Sequence, residues 1–88
     1  MSVNESVFDD AWLVEISQCI PRRIREMPEV DVPETDDEVA WLFFNMHEKN
    51  DVATQAACGL FAIERKKGKS VFDAYGVVLA KIFESAHR

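Results

Sequence analysis

Residues 50–86 read NDVATQAACGLFAIERKKGKSVFDAYGVVLAKIFESA, two helical runs meeting at one glycine. From Val71 onward the apolar residues return at about 100° per residue. Val71, Phe72, Tyr75, Val78, Leu79, Ile82, Phe83 and Ala86 gather on one side, and Asp73, Lys81 and Glu84 fall opposite. Ser70 followed by Asp73 supplies an N-cap and a first-turn acid, which predicts a helix over about 71–86. The preceding run opens at Asn50 or Asp51 and stops at Gly68, with Arg65, Lys66 and Lys67 at its negative end. It predicts a helix over about 51–67. Its packing face is read as Val52, Ala53, Ala56, Gly59, Leu60 and Ile63, small side chains that let a neighbour approach closely. The short Gly68-Lys69 connection makes the two an αα-hairpin.

Two further helices lie upstream. Thr35-Asp36-Asp37-Glu38 is a capping box that starts a helix over about 36–48. Phe8, Trp12, Ile16, Cys19 and Ile20 recur at helical spacing behind Ser6 and Asp9, which predicts a helix over about 6–20 ended by Pro21. A short helix over 22–27 fits before Pro28. Residues 28–34 carry two prolines and alternating acids, an extended internal linker. The expectation is one domain, 1–88, all-α, a small bundle of four main helices. The repeat of Ser6-Val7-Phe8-Asp9 as Ser70-Val71-Phe72-Asp73 is read as one capping device used twice.

Composition agrees. Apolar residues make up 48% of the chain, while Gly and Pro number three each, too few for the turns of a many-stranded β domain. The net charge of −6 is unevenly spread: residues 1–51 hold 13 acids and 4 bases, residues 52–88 hold 3 acids and 6 bases. Such a split suits docking to a charged partner or to another copy, and makes duplex nucleic acid an improbable ligand. Cys19 and Cys58 sit in apolar helical stretches and are read as free thiols. The acidic, polar N-terminus has no signal-peptide character, and no uncharged run approaches the roughly 18 residues of a membrane span. A cytoplasmic location is the expectation.

Motifs for chemistry are incomplete. Gly68-Lys69-Ser70 resembles the end of a phosphate-binding loop, but Ile63 stands where its first glycine belongs and a helix precedes it. What remains is a weak anion site of Lys66, Lys67, Lys69 and Ser70 at a helix start, with Arg65 nearby. His47-Glu48 begins a zinc-helix pattern that Asp51 breaks, since a second His is required there. No spacing sets a nucleophile, a base and an orienting group together, and His87 lies next to the chain end. No cofactor, metal or catalytic residue is expected.

The run Trp41-Leu42-Phe43-Phe44 points in four directions around its helix. Either that helix is central, or another molecule covers one flank. Phe61 is placed opposite the Val52–Ala56–Ile63 side of its own helix. These residues motivate the leading expectation: a non-catalytic protein-interaction module, such as a small inhibitor, adaptor or immunity-type protein. It self-associates or binds a protein partner through Phe61, Trp41, Phe43 or Phe44. One alternative is nucleic-acid or anion binding at the basic 65–69 turn. Another is an acidic decoy of a nucleic-acid-binding protein, based on the seven acids between Glu26 and Glu38, whose plainer reading is a solvated linker.

Overall fold

A computed structural model describes residues 8–86 and contains five helices among them, with no strand. They are α1 (Asp10–Gln18), α2 (Arg22–Arg25), α3 (Asp36–Met46), α4 (Asp51–Lys66) and α5 (Val71–Ala86). The all-helical bundle expected from capping and periodicity is therefore the fold.

Local chemistry sets the boundaries. Asp9 caps α1, its carboxylate accepting from the Trp12 amide at 2.9 Å, so the helix starts at Asp10, four residues later than expected. Ser6 lies outside the described residues. At the other end the helix stops at Gln18 and Cys19 is already extended, one residue ahead of Ile20, where Pro21 disfavours α geometry. Pro21 then caps the single turn of α2. The capping box of α3 is complete: Glu38 N donates to Thr35 Oγ1 at 3.1 Å, and Glu38 Oε1 accepts from the Thr35 and Glu34 amides. The helix stops at Met46 rather than about 48, since Glu48 and Lys49 turn left-handed at φ 57° and 64°. Asn50 caps α4 through the Ala53 amide, and Gly68, at φ 98°, ends the turn after it. Ser70 Oγ accepts from Asp73 N at 3.1 Å to open α5.

The interior lies where α4 packs against α1, α3 and α5, and α2 closes over α3. Phe61 of α4 is fully buried, edge-on to Phe43 at 6.4 Å between centroids and 6.2 Å from Trp12. Tyr75 meets Phe43 from α5 at 5.6 Å. Ile16, Ile20, Ile24, Val39, Ala57, Cys58 and Val78 complete the core around them.

This placement overturns the expected rotation of α4. Its buried face is Thr54, Ala57, Cys58, Phe61, Ala62 and Glu64, while Val52 is 76% and Ile63 52% exposed. Phe61 meets both Phe43 and Trp12 inside, and such ring pairs add to the free energy of burying apolar area, an advantage the Val52–Ile63 stripe does not have. On α5 only Ala74 and Val78 are buried. Val71, Tyr75, Leu79 and Ile82 are half-buried against the core, and Phe72 is 60% exposed.

Candidate functional site

The charged side chains were expected to mark a basic patch and a solvated acidic strip. The structure instead uses several of them to join helices. Asp36, at the start of α3, is buried and accepts from Arg65 Nε at 2.9 Å, and Arg65 also donates to the Lys69 carbonyl at 2.8 Å. Arg65 thereby ties the α4–α5 turn to the α3 N-terminus. Asp37 accepts from Trp12 Nε1 at 2.7 Å and from Arg23 Nε at 2.9 Å. Arg23 reaches on to Glu15 at 2.6 Å, and the two carboxylates, Asp37 first, hold its guanidinium even more firmly protonated than usual. Arg25 pairs with Asp51, donates to the Ile20 carbonyl and lies 5.2 Å over the Phe44 ring. Asp36 and Asp37 thus correct the reading of 26–38 as a uniformly solvated strip: two of its acids hold the bundle together.

Glu64 is the second anchor. Only 3% exposed, it takes Lys69 at 2.8 Å, Lys67 at 3.3 Å and Lys81 at 3.6 Å. The Lys69 hydrogen bond, with Lys67 behind it, draws the carboxyl down to about 2 against the opposing effect of its covering. Lys66 pairs with Asp10 across to α1 at 2.8 Å. The side chains assigned to an anion site are therefore committed elsewhere: Lys66, Lys67 and Lys69 to carboxylates, and the Ser70 hydroxyl to capping α5. Their own acids neutralise the local field that would attract an anion. Among the described residues every Lys and Arg except Lys49 stands in an ion pair.

The proposed contact residues fare unequally. Phe61, expected off the core, is inside it, and Phe43 and Phe44 are buried as well. These three offer no free surface in the folded chain. Trp41 remains half-buried against the core. The outward apolar side chains are different ones: Val52 and Ile63 on α4, Phe72 and Phe83 on α5, Val14 on α1 and Val32 in the linker, each more than half exposed. In the sequence, the signal for Val52 and Ile63 was their spacing with Ala56 and Gly59, a genuine apolar stripe read as the core.

Two surface grooves flank α5. One, of about 460 Å³, lies between the linker and the helix start, walled by Val32, Pro33, Val71 and Phe72 with Glu34 and Arg65 beside them. The other, of about 370 Å³, lies near the helix end between Leu60, Ile82 and His47. His47 Nδ1 sits 2.9 Å from the Phe43 carbonyl oxygen, so that nitrogen carries the proton.

Comparison with protein-family models, with curated proteins and with solved structures returns no match. The functional reading therefore stands on this chain's geometry.

That geometry bears on chemistry too. Cys58 is buried, and loss of solvent, reinforced by the Asp37 charge, pushes its thiol up to about 12, away from the thiolate a nucleophile needs. Cys19 is exposed, and both thiols are free. Burial likewise raises the Tyr75 phenol. No three His, Cys, Asp or Glu side chains group as metal ligands among the described residues. His87 lies outside them. Within the same residues no helix is long and apolar enough to cross a membrane.

Proposed function

We propose that the chain is a non-catalytic protein-interaction module that presents the outward face of α4. The observation that carries this reading is the exposure of Val52 and Ile63 on one line of the helix, with Ala56 exposed between them. Gly59, on the same line, would meet nothing within 4 Å if it carried a Cβ, so the stripe is low and open along its middle. A helix pays about 0.8–1 kcal/mol for a mid-helix glycine relative to alanine. Nothing inside the bundle requires that glycine, whereas a second helix lying close along α4 would. An apolar stripe left at the surface stabilises nothing until another molecule covers it.

A second copy is the simplest partner, since two α4 stripes crossing antiparallel would set Val52 of one copy against Ile63 of the other. Sedimentation equilibrium over a wide concentration range, with capture from extract of the native host, tests the reading on the wild type and on Val52→Glu/Ile63→Glu. Both positions are exposed, so the double variant keeps its helicity. The wild type is expected to gain mass with concentration or retain a partner, and the variant to do neither. A wild type that stays monomeric and retains nothing the variant loses contradicts the proposal.

A further inference from the structure

We propose that the groove between the linker and the start of α5 is a docking site for a cationic, apolar-bearing segment of a partner protein. This rests on reading the chain as an interaction module and adds the chemistry of what it binds.

The groove is built before any partner arrives. Its linker wall is held by the Glu34 and Thr35 amides, both donating to Glu38 Oε1 at 2.7 and 3.0 Å. Its helical wall is held by Ser70 capping α5 and by Arg65, which grips both Asp36 and the Lys69 carbonyl. Yet the side chains on the two walls are left open: Val32 is 58% and Phe72 60% exposed. A preformed apolar surface costs little ordering when it is covered. At about 460 Å³ the groove falls within the roughly 300–1,000 Å³ of ordinary binding pockets, room for a short anchor of bulky side chains.

Charge selects the occupant. Glu34 lines the groove, Asp73 follows its Phe72, and Glu29 and Asp31 stand three and one residues before its Val32, where the linker bends. All four are exposed, and none has an ion-pair partner among the described residues. The nearby cations, Arg65 and Lys69, are held by Asp36 and Glu64. Of the two charges lining the groove Arg65 is paired and Glu34 is not, so negative charge stands open beside apolar walls, which favours approach of Lys- or Arg-bearing chains over phosphate backbones. A second copy is poorly suited. Of its described cations only Lys49 is outside an ion pair, so it would bring acids to acids.

Selection of a phage-displayed library of random linear peptides tests this, with counter-selection against the Glu34→Lys/Phe72→Ser variant. The expected consensus carries Lys or Arg flanking an aromatic or aliphatic anchor. A synthetic peptide of that consensus, titrated into isotope-labelled protein, is expected to shift the amides of Val32, Glu34, Val71 and Phe72. Its affinity should fall about tenfold or more in Glu34→Lys, in Phe72→Ser and in Val32→Ser, each checked for unchanged helicity and melting. Raising the salt should weaken it as well. A library that yields nothing, an acidic or neutral consensus, or shifts centred elsewhere overturns the proposal. So do shifts at the groove that grow with protein concentration alone, which would assign it to a second copy. The Val52→Glu/Ile63→Glu variant should bind the peptide normally, so the α4 reading and the groove fail independently.

Discussion

Truncating Phe61 to Ala removes a fully buried ring from between Phe43 and Trp12. A buried Phe→Ala change costs about 3–5 kcal/mol through lost transfer energy and the cavity left behind. Aromatic pairs contribute about 0.5–1.5 kcal/mol each beyond their area, which puts Phe61 in the upper half of that range. A chain of this length has only about 4–13 kcal/mol of stability in all, so Phe61→Leu, expected to cost about 1–2 kcal/mol, serves as the milder companion. The control is Ile63→Ala on the opposite side of α4, expected to cost less than about 1 kcal/mol because the side chain is already half in water. Urea unfolding followed by far-ultraviolet circular dichroism measures all three against the wild type. Equal costs for Ile63→Ala and Phe61→Leu, or a Phe61→Ala cost below about 1 kcal/mol, refute the assigned rotation of α4.

Other outcomes follow from the same contacts. The Glu64 carboxyl is lowered in the fold, to about 2, so its stabilisation is complete above the unfolded carboxyl range and disappears as pH falls towards 2. Melting temperatures of Glu64→Gln should therefore be lower than wild type at neutral pH and converge with it in acid. Arg65→Met leaves Asp36 buried without its guanidinium and should cost about 3 kcal/mol or more in urea unfolding. Gly76→Ala, which meets open space in mid-helix, should stabilise by about 0.5–1 kcal/mol, whereas Gly68→Ala at φ 98° should destabilise by about 1 kcal/mol, both read from thermal melts. A disulfide thiol reagent should label the exposed Cys19 promptly and reach Cys58 only as the chain unfolds, because Cys58 is both covered and protonated.

Sequence and structure agree where the signal is local. Thr35 with Glu38, Asn50, Gly68 and Ser70 each act within one turn on the nearest amides or on the backbone itself, so these residue types marked the ends of α3, α4 and α5 closely. The start of α1 was harder because Ser6 and Asp9 are both competent caps three residues apart. The rotation of α4 was not legible. Val52, Ala56, Gly59 and Ile63 form a stripe as regular as the buried one, and only the tertiary meeting of Phe61 with Phe43 and Trp12 chooses between them. The same is true of charge. Asp36 and Asp37 look like neighbouring linker acids, and Lys66, Lys67 and Lys69 look like a free basic turn, until the fold brings Arg65, Arg23, Asp10 and Glu64 to them. Arg23, Arg65 and Asp10 stand 14, 29 and 56 residues from their partners and leave no spacing to read, whereas Glu64 lies only three and five residues before Lys67 and Lys69. For the interaction surface the consequence was an exchange: Phe61, Phe43 and Phe44 went inside, and Val52, Ile63 and Phe72 came out.

Both binding surfaces depend on that exchange, and solvent accessibility of individual side chains tests it most directly. Proton relaxation by a soluble, uncharged paramagnetic agent can be measured at dilution on the methyls of Val52, Ile63, Val39 and Val78 and on the rings of Phe61 and Phe72. Strong enhancement at Val52, Ile63 and Phe72, with Phe61, Val39 and Val78 protected, is the predicted result. Protection of Val52 and Ile63 together with enhancement at Phe61 would contradict the account.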